Sequence, residues 1–341
     1  MKSPFLSRRQ FGKGVATALA ASTLPISGLW GSAIIDSTVK GVKLGAITGS
    51  FNNVVAGSGG AGGGTGRGGR GPALSTDEAI DQAIKNCMDT GVGFVELGSG
   101  FLEPRVQGGG VGGQVPATIT PEYLKSREEI CQWRLNTPAS FFQDVRKRFD
   151  SGGVNLFSMS YTFGDDMTDV EIDAAFKQMQ ALGIKLFQTN QTRVSIGLRM
   201  APYAEKYKIT PGWHTHQQAN NPNEVSSPDS LASLLAMSPQ FMICLDIGHF
   251  AVGGNDPYAW FQQNHDRISH VHIKDQSSIG AGSTAAELGD GVLHVADMLK
   301  TVRDNHYPIA CIIEREYTTP GLTGTQETKK QMDWMKMVLE S

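Results

Sequence analysis

Short apolar runs alternate with longer stretches of helical period along most of the chain. The runs are Lys43–Thr48, Gly93–Leu97, Val154–Met159, Lys185–Thr189, Ile209–His214, Phe241–Asp246, Ile268–Ile273 and Ile309–Glu314. Each reads as a buried strand, and helical segments follow. Such alternation predicts a parallel sheet with helical crossovers. Eight repeats fit a closed (β/α)8 barrel better than an open doubly wound sheet. Helix starts carry local signals. Ser75-Thr76-Asp77-Glu78 and Thr168-Asp169-Val170-Glu171 read as capping boxes. Thr137-Pro138, Ser227-Pro228 and Asp256-Pro257 set a cap residue before a proline at the first helical position. The glycines of Thr90-Gly91-Val92-Gly93 and Leu182-Gly183 end helices.

Three stretches break the pattern. Residues 57–71 and 108–113 are glycine-rich and follow the first and second runs, so they fall on loops at the C-terminal face of the barrel. Neither contains a phosphate-loop motif, and both read as flexible insertions or an active-site lid. The third is the N-terminus, residues 1–33. Ser7-Arg8-Arg9-Gln10-Phe11-Gly12-Lys13, an apolar stretch from Val15 to Leu24, and Gly31-Ser32-Ala33 resemble a twin-arginine export signal with its cleavage site. The apolar stretch is too short and broken to make a good membrane span. The expectation is a periplasmic or otherwise extracytoplasmic protein without a stable membrane span after processing. A single barrel domain over residues 41–341 accounts for the rest. Because the twin-arginine route carries folded proteins, it favours one loaded with a metal or cofactor.

Composition narrows the function. With 30 basic and 33 acidic residues the net charge is −3, which gives no electrostatic reason to expect nucleic acid as a partner. Cys87, Cys131, Cys244 and Cys311 are widely spaced and form no CxxC pair. They read as buried thiols rather than a disulfide framework or zinc ribbon. GxSxG and HExxH are both absent, so serine-hydrolase and zincin chemistry have no handle.

In a barrel of this kind the C-terminal ends of different strands converge on one site. The fifth run ends Trp213-His214-Thr215-His216 and the sixth Leu245-Asp246-Ile247-Gly248-His249. The seventh ends His270-Val271-His272-Ile273-Lys274-Asp275 and the eighth Ile313-Glu314-Arg315-Glu316. Five of the eight histidines fall at three consecutive strand ends. Side chains alternate with period two, so His214 can share a face with His216, and His270 with His272. Asp246, His272 and Glu314 come from neighbouring strands and can approach one point. Two carboxylates and two neutral imidazoles suit one divalent cation such as Mn, Zn, Co or Fe. Trp133 and Trp213 are candidates to stack on a sugar face, with core packing the alternative.

These motifs, with Val95-Glu96-Leu97 through Leu102-Glu103-Pro104, resemble the sugar phosphate isomerase/epimerase proteins of the xylose-isomerase-like superfamily. The resemblance covers nearly the whole chain after the export segment. It extends more distantly to ketose 3-epimerases, hydroxypyruvate isomerase, inosose dehydratase and endonuclease IV. It implies a metal at the C-terminal face with ligands from strands 5 to 8. Carried over, these are Asp246, His272 and Glu314, with His214 as the fourth. Ketose epimerases place a glutamate where this chain has His214, so a two-glutamate mechanism does not transfer. Inosose dehydratase shows a similar His-x-His. His249 matches the family's substrate-contacting histidine, and His216 and Lys274 are further substrate contacts. Glu314, His214 and Glu96 are the candidate catalytic residues, Glu96 as a second base or a sugar-hydroxyl acceptor.

The resemblance implies a divalent-metal-dependent sugar isomerase or epimerase working through an enediolate. The alternative is a lyase or dehydratase acting on a keto-sugar, keto-inositol or 3-keto-glycoside, which the His-x-His and the export signal favour. A non-catalytic carbohydrate-binding barrel is the third reading. An endonuclease is disfavoured by the few ligands and the lack of basic charge. The partner is a small sugar or keto-sugar, and the oligomeric state is left open, a homo-oligomer included.

Overall fold

The computed structural model describes residues 33–51, 76–104, 106, 115–190, 192–317 and 319–341. The N-terminal segment read as an export signal, up to Ser32, the glycine-rich stretches 57–71 and 108–113, and Ser75 of the first capping box lie outside the described residues.

Eight parallel strands close into a barrel: β1 (Val42–Ile47), β2 (Phe94–Gly98), β3 (Asn155–Ser160), β4 (Leu186–Gln188), β5 (Thr210–His214), β6 (Met242–Asp246), β7 (Ile268–Ile273) and β8 (Ala310–Ile313). Each pairs with the next in sequence, and β8 returns to β1 through Cys311↔Leu44 and Ile313↔Ala46. The barrel is therefore closed, as the count of eight runs predicts. Strands β7 and β8 are buried along their whole length; β8 accordingly reads as an unbroken apolar run, whereas β7 carries Ser269, His270 and His272 among its apolar residues.

Helices surround the barrel: α1 (Thr76–Thr90), α2 (Pro121–Asn136), α3 (Ala139–Ser151), α4 (Asp169–Ala181), α5 (Gly197–Tyr207), α6 (Pro228–Met237), α7 (Ile247–Val252), α8 (Pro257–Asn264), α9 (Val295–Asp304) and α10 (Gly324–Glu340). In α9 the buried positions are Val295, Met298, Leu299 and Val302, one helical stripe facing the strands. Each large apolar side chain buried this way contributes roughly 1.5–3 kcal/mol. The caps at Thr168, Ser227 and Asp256 form as expected. Thr137 does not. Its hydroxyl donates to the Trp133 carbonyl at 2.6 Å and closes α2 from behind, while Pro138 stands at the N-cap of α3 without a side-chain cap. Among the described residues no helix is long and apolar enough to cross a membrane. All four cysteines are free, and Cys87, Cys244 and Cys311 are buried.

Candidate functional site

His214 and Asp246 are the last residues of β5 and β6, His272 is one residue from the end of β7, and Glu314 follows β8. Barrel geometry turns these four ends toward one another. One ligand atom from each lies within 4.8 Å of the others, and all four side chains are buried. His272 Nδ1 is 2.7 Å from Glu314 Oε2 and 3.2 Å from His214 Nε2. His214 Nε2 in turn stands 3.3 Å from Asp246 Oδ2. The structure thus brings together the four residues singled out as ligands.

Lys274 reaches the same point. Its ammonium is 2.8 Å from Asp246 Oδ2, 3.3 Å from Glu314 Oε2 and 2.9 Å from Glu316 Oε2. A glycine makes this possible: a Cβ on Gly248 would lie 2.3 Å from Lys274 Cδ. Asp246 also caps the short helix α7 through the His249 backbone N–H at 2.7 Å, which holds the His249 ring over the site. His249 Nε2 meets Glu316 Oε1 at 3.2 Å.

His216 stands beside His214, with ring centroids 5.2 Å apart. Its Nδ1 is 2.9 Å from Glu224 Oε2, and Arg193 holds the other oxygen of Glu224. His216 Nε2 makes no hydrogen bond. Neither Glu224 nor Arg193 was legible as part of the site: both lie in irregular segments with no periodicity, and only the returning 215–227 loop brings them near. Glu96 is fully buried, between His270 and His272 within the barrel. Trp213 is also fully buried and packs against Phe241, and Trp133 packs against Phe141 and Phe142. Both tryptophans belong to the packing layers rather than to a sugar platform.

The electrostatics call for positive charge. Asp246, Glu314 and Glu316 set three carboxylates around the one ammonium of Lys274, an acidic excess that the neighbouring imidazoles offset by holding protons. Burial works against a charged His214 ring, yet Asp246 and Glu314 outweigh it and push its pKa up to about 9. Burial likewise pushes the Glu314 carboxyl up, but Lys274 and His272 hold it well below the usual carboxylate range. His216 goes the other way: burial, with His214 and His249 adding to it and Glu224 only partly offsetting, brings it down to about 4. His216 is therefore neutral at pH 7. Buried charges in proteins are paired or coordinate metals. Two carboxylates and two imidazoles in an anion-rich pocket fit a divalent cation of the Mn, Fe, Co or Zn group.

A closed parallel barrel with a histidine–carboxylate cluster where β5 to β8 end defines a class of barrels with their chemistry at the C-terminal face. The profile of the xylose isomerase-like TIM barrel family matches residues 143–338, and the chain belongs to that family. Among solved structures, a sugar phosphate isomerase/epimerase from Parabacteroides distasonis ATCC 8503 superposes with a TM-score of 0.55 at 16% identity, over 90% of this chain and 97% of that one. The probable 3-DHS dehydratase AsbF of Bacillus anthracis, involved in petrobactin synthesis, gives 0.53 at 15% identity, over 86% and 98%. The IOLI protein with a binding zinc atom gives 0.55 at 11% identity, over 88% and 98%. At these identities the likeness is one of fold. No curated protein matches the chain in sequence.

Proposed function

We propose that the chain is a divalent-metal-dependent sugar isomerase or epimerase that moves a proton on a carbon next to a carbonyl. The observation that carries this reading is the convergence of His214, Asp246, His272 and Glu314, four ligand atoms within 4.8 Å at four consecutive strand ends. Those four side chains would hold the cation, which supplies Lewis-acid polarisation of a substrate carbonyl. The remaining work falls to the side chains. Glu314 is the carboxylate of the four that would act as the base, accepting a carbon-bound proton on its second oxygen. Neutral His216, anchored by Glu224 and with a bare Nε2, can accept and return a proton or bind a sugar hydroxyl. The Lys274 ammonium offsets negative charge that develops on the substrate oxygen. His249 faces the same space and orients the substrate. Return of the proton to the opposite face gives an epimer, and return to the adjacent carbon an isomer.

A second reading is a dehydratase or lyase on a keto-sugar. It is favoured by His214 at the end of β5, where a carboxylate base would otherwise stand, and by the dehydratase among the structural neighbours. Both readings share the first proton abstraction. The twin-arginine motif adds the proposal that the substrate is met outside the cytoplasm, which favours unphosphorylated sugars.

The test joins metal analysis of the purified protein to deuterium wash-in from D2O, with ketoses and 3-keto-glycosides supplied. One divalent ion per chain, and exchange lost in Glu314→Gln, is the expected result. Product identity then separates isomerase or epimerase from lyase. No bound metal after reconstitution would sink the reading in favour of a carbohydrate-binding barrel.

A further inference from the structure

Glu96 was singled out as a base or hydroxyl acceptor, yet its side chain is fully buried within the barrel. Its Oε2 accepts the Ser158 hydroxyl at 3.0 Å and meets His270 Nε2 at 3.1 Å. Its Oε1 makes no hydrogen bond and stands 3.3 Å from His272 Nε2, which makes none either. Among the described residues the ion-pair neighbours of Glu96 are His270 and His272 alone. A buried carboxylate oxygen without a donor is costly, and His272 Nε2–H is the donor that faces it.

The opposite edge of the same ring looks into the candidate metal centre, where His272 Nδ1 lies 2.7 Å from Glu314 Oε2. If Nε2 carries the proton, Nδ1 offers a lone pair to that centre. Glu96, on the Nε2 edge, thus bears on which nitrogen of His272 is bare. Room for the arrangement comes from Gly212 on β5, where a Cβ would come within 3.2 Å of His270 Cε1 and 2.7 Å of Ser269 Oγ.

Resting on the metal-dependent reading above, we infer that Glu96 is a positioning residue: its carboxylate fixes His272 in the Nε2–H form and so aims Nδ1 at the cation. Carboxylates behind metal-bound histidines act in this way, and losing one typically weakens metal binding about 10–100-fold. Ser158 anchors the carboxylate in turn, so its hydroxyl acts one step further back.

The experiment uses the full chain, stripped with chelator and titrated with zinc against a chromogenic competitor. It is read alongside the downfield proton spectrum of the zinc-loaded protein and thermal unfolding of the metal-free protein. Wild type is expected to bind one equivalent and to show a downfield His272 Nε2–H resonance. Glu96→Gln is expected to keep one equivalent at about 10–100-fold lower affinity, with that resonance moved or lost. Ser158→Ala, which leaves the carboxylate in place, is expected to show the same resonance shift with a smaller loss of affinity. Equal affinity and an unmoved resonance in Glu96→Gln overturn the inference and leave the metal-dependent reading standing. Two equivalents in wild type falling to one in Glu96→Gln also overturn it, because Glu96 would then be a ligand itself. If wild type binds no zinc, both readings fall.

Discussion

Two buried charged clusters sit on this barrel, and they are built on opposite plans. On the flank, α2 meets β3 and the start of α4. Arg127 grips both oxygens of Glu171 at 2.7 Å and Asp166 at 2.8 Å. Arg134 grips both oxygens of Glu103 at 2.8 and 3.1 Å, and the Tyr161 hydroxyl donates to Glu103 at 2.6 Å. At the strand ends, by contrast, Glu96 Oε1, His214 Nδ1, His216 Nε2, His249 Nδ1 and His272 Nε2 are buried without a hydrogen bond. No atom of the flank cluster is left so. A network that completes itself holds structure together. One that leaves buried polar atoms unpaired around four converging ligand atoms is built for something that is not part of the chain, and its cost in stability is a mark of function.

The largest expected effects separate the two plans directly. Arg134→Met leaves the Glu103 carboxylate buried without its cation, and breaking such a pair costs about 3–5 kcal/mol. A urea titration should show the unfolding free energy falling by that amount, with zinc affinity unchanged. Asp246→Asn should do the reverse. It removes one of three crowded carboxylates, so metal binding and deuterium exchange are lost, the latter by on the order of 10²–10⁴-fold. Stability of the metal-free protein should hold or rise. If Asp246→Asn unfolds the protein as Arg134→Met does, the strand-end cluster is structural and the contrast fails.

Much of this division was legible beforehand. The eight strands stand out because barrel strands are buried on both faces and so read as apolar runs. The ligand set stands out because a barrel delivers consecutive strand ends to one point, so position along the chain becomes position in space. What the sequence hides has specific causes. Helix α2 buries Tyr123, Ser126, Ile130 and Arg134, a largely polar face set against the ionic cluster, so it shows no apolar stripe. Glu224 reaches His216 only through an irregular loop. Glu96 interrupts an apolar run near its end, and only the closed barrel shows that it points inward to His270 and His272. Thr137 precedes a proline as an N-cap would, but its hydroxyl turns back to the helix before it.

The strand-end cluster should also carry a pH response that the flank lacks. Burial pushes the Glu171 carboxyl up, but Arg127, the Thr168 backbone N–H and Arg134 together hold it below its ordinary 4.5. A carboxyl lowered on folding stabilises fully above 4.5, and the contribution is lost as pH falls through the folded value, because the unfolded chain takes the proton first. For neutral, buried His216 the unfolded chain takes its proton near 6.5 and the folded one only near 4. The metal-free protein should therefore lose the His216 contribution between about pH 6.5 and 4, and the contributions of flank Glu171 and strand-end Glu314 below about 4.5. Unfolding free energies measured from pH 7 to 3 check this. His216→Asn should flatten the upper part of the curve, and Glu171→Gln should remove only the flank's share of the lower part. A single change of slope, removed by either variant, would show that the two clusters titrate as one.

The smallest effect asks whether the flank is independent of the site. Thr168 caps α4 and shares Glu171 with the arginines. Its backbone N–H donates to Glu171 Oε2 at 2.9 Å, its hydroxyl donates to the same oxygen at 3.1 Å, and the Glu171 N–H donates back to that hydroxyl at 3.3 Å. Thr168→Ala removes the hydroxyl half of this box and should cost about 1 kcal/mol, while Thr168→Ser should restore it. Because Glu171 belongs to both the cap and the ion pair, combining Thr168→Ala with Arg127→Met should give a loss that differs from the sum of the two single losses. Urea unfolding of the four proteins in that cycle measures the coupling. Zinc affinity should be the same in all four, since no hydrogen bond or ion pair joins this box to His214, Asp246, His272 or Glu314. A drop in affinity that tracks the cap would mean that the flank sets the spacing of the strand ends, and that the self-satisfied cluster belongs to the function after all.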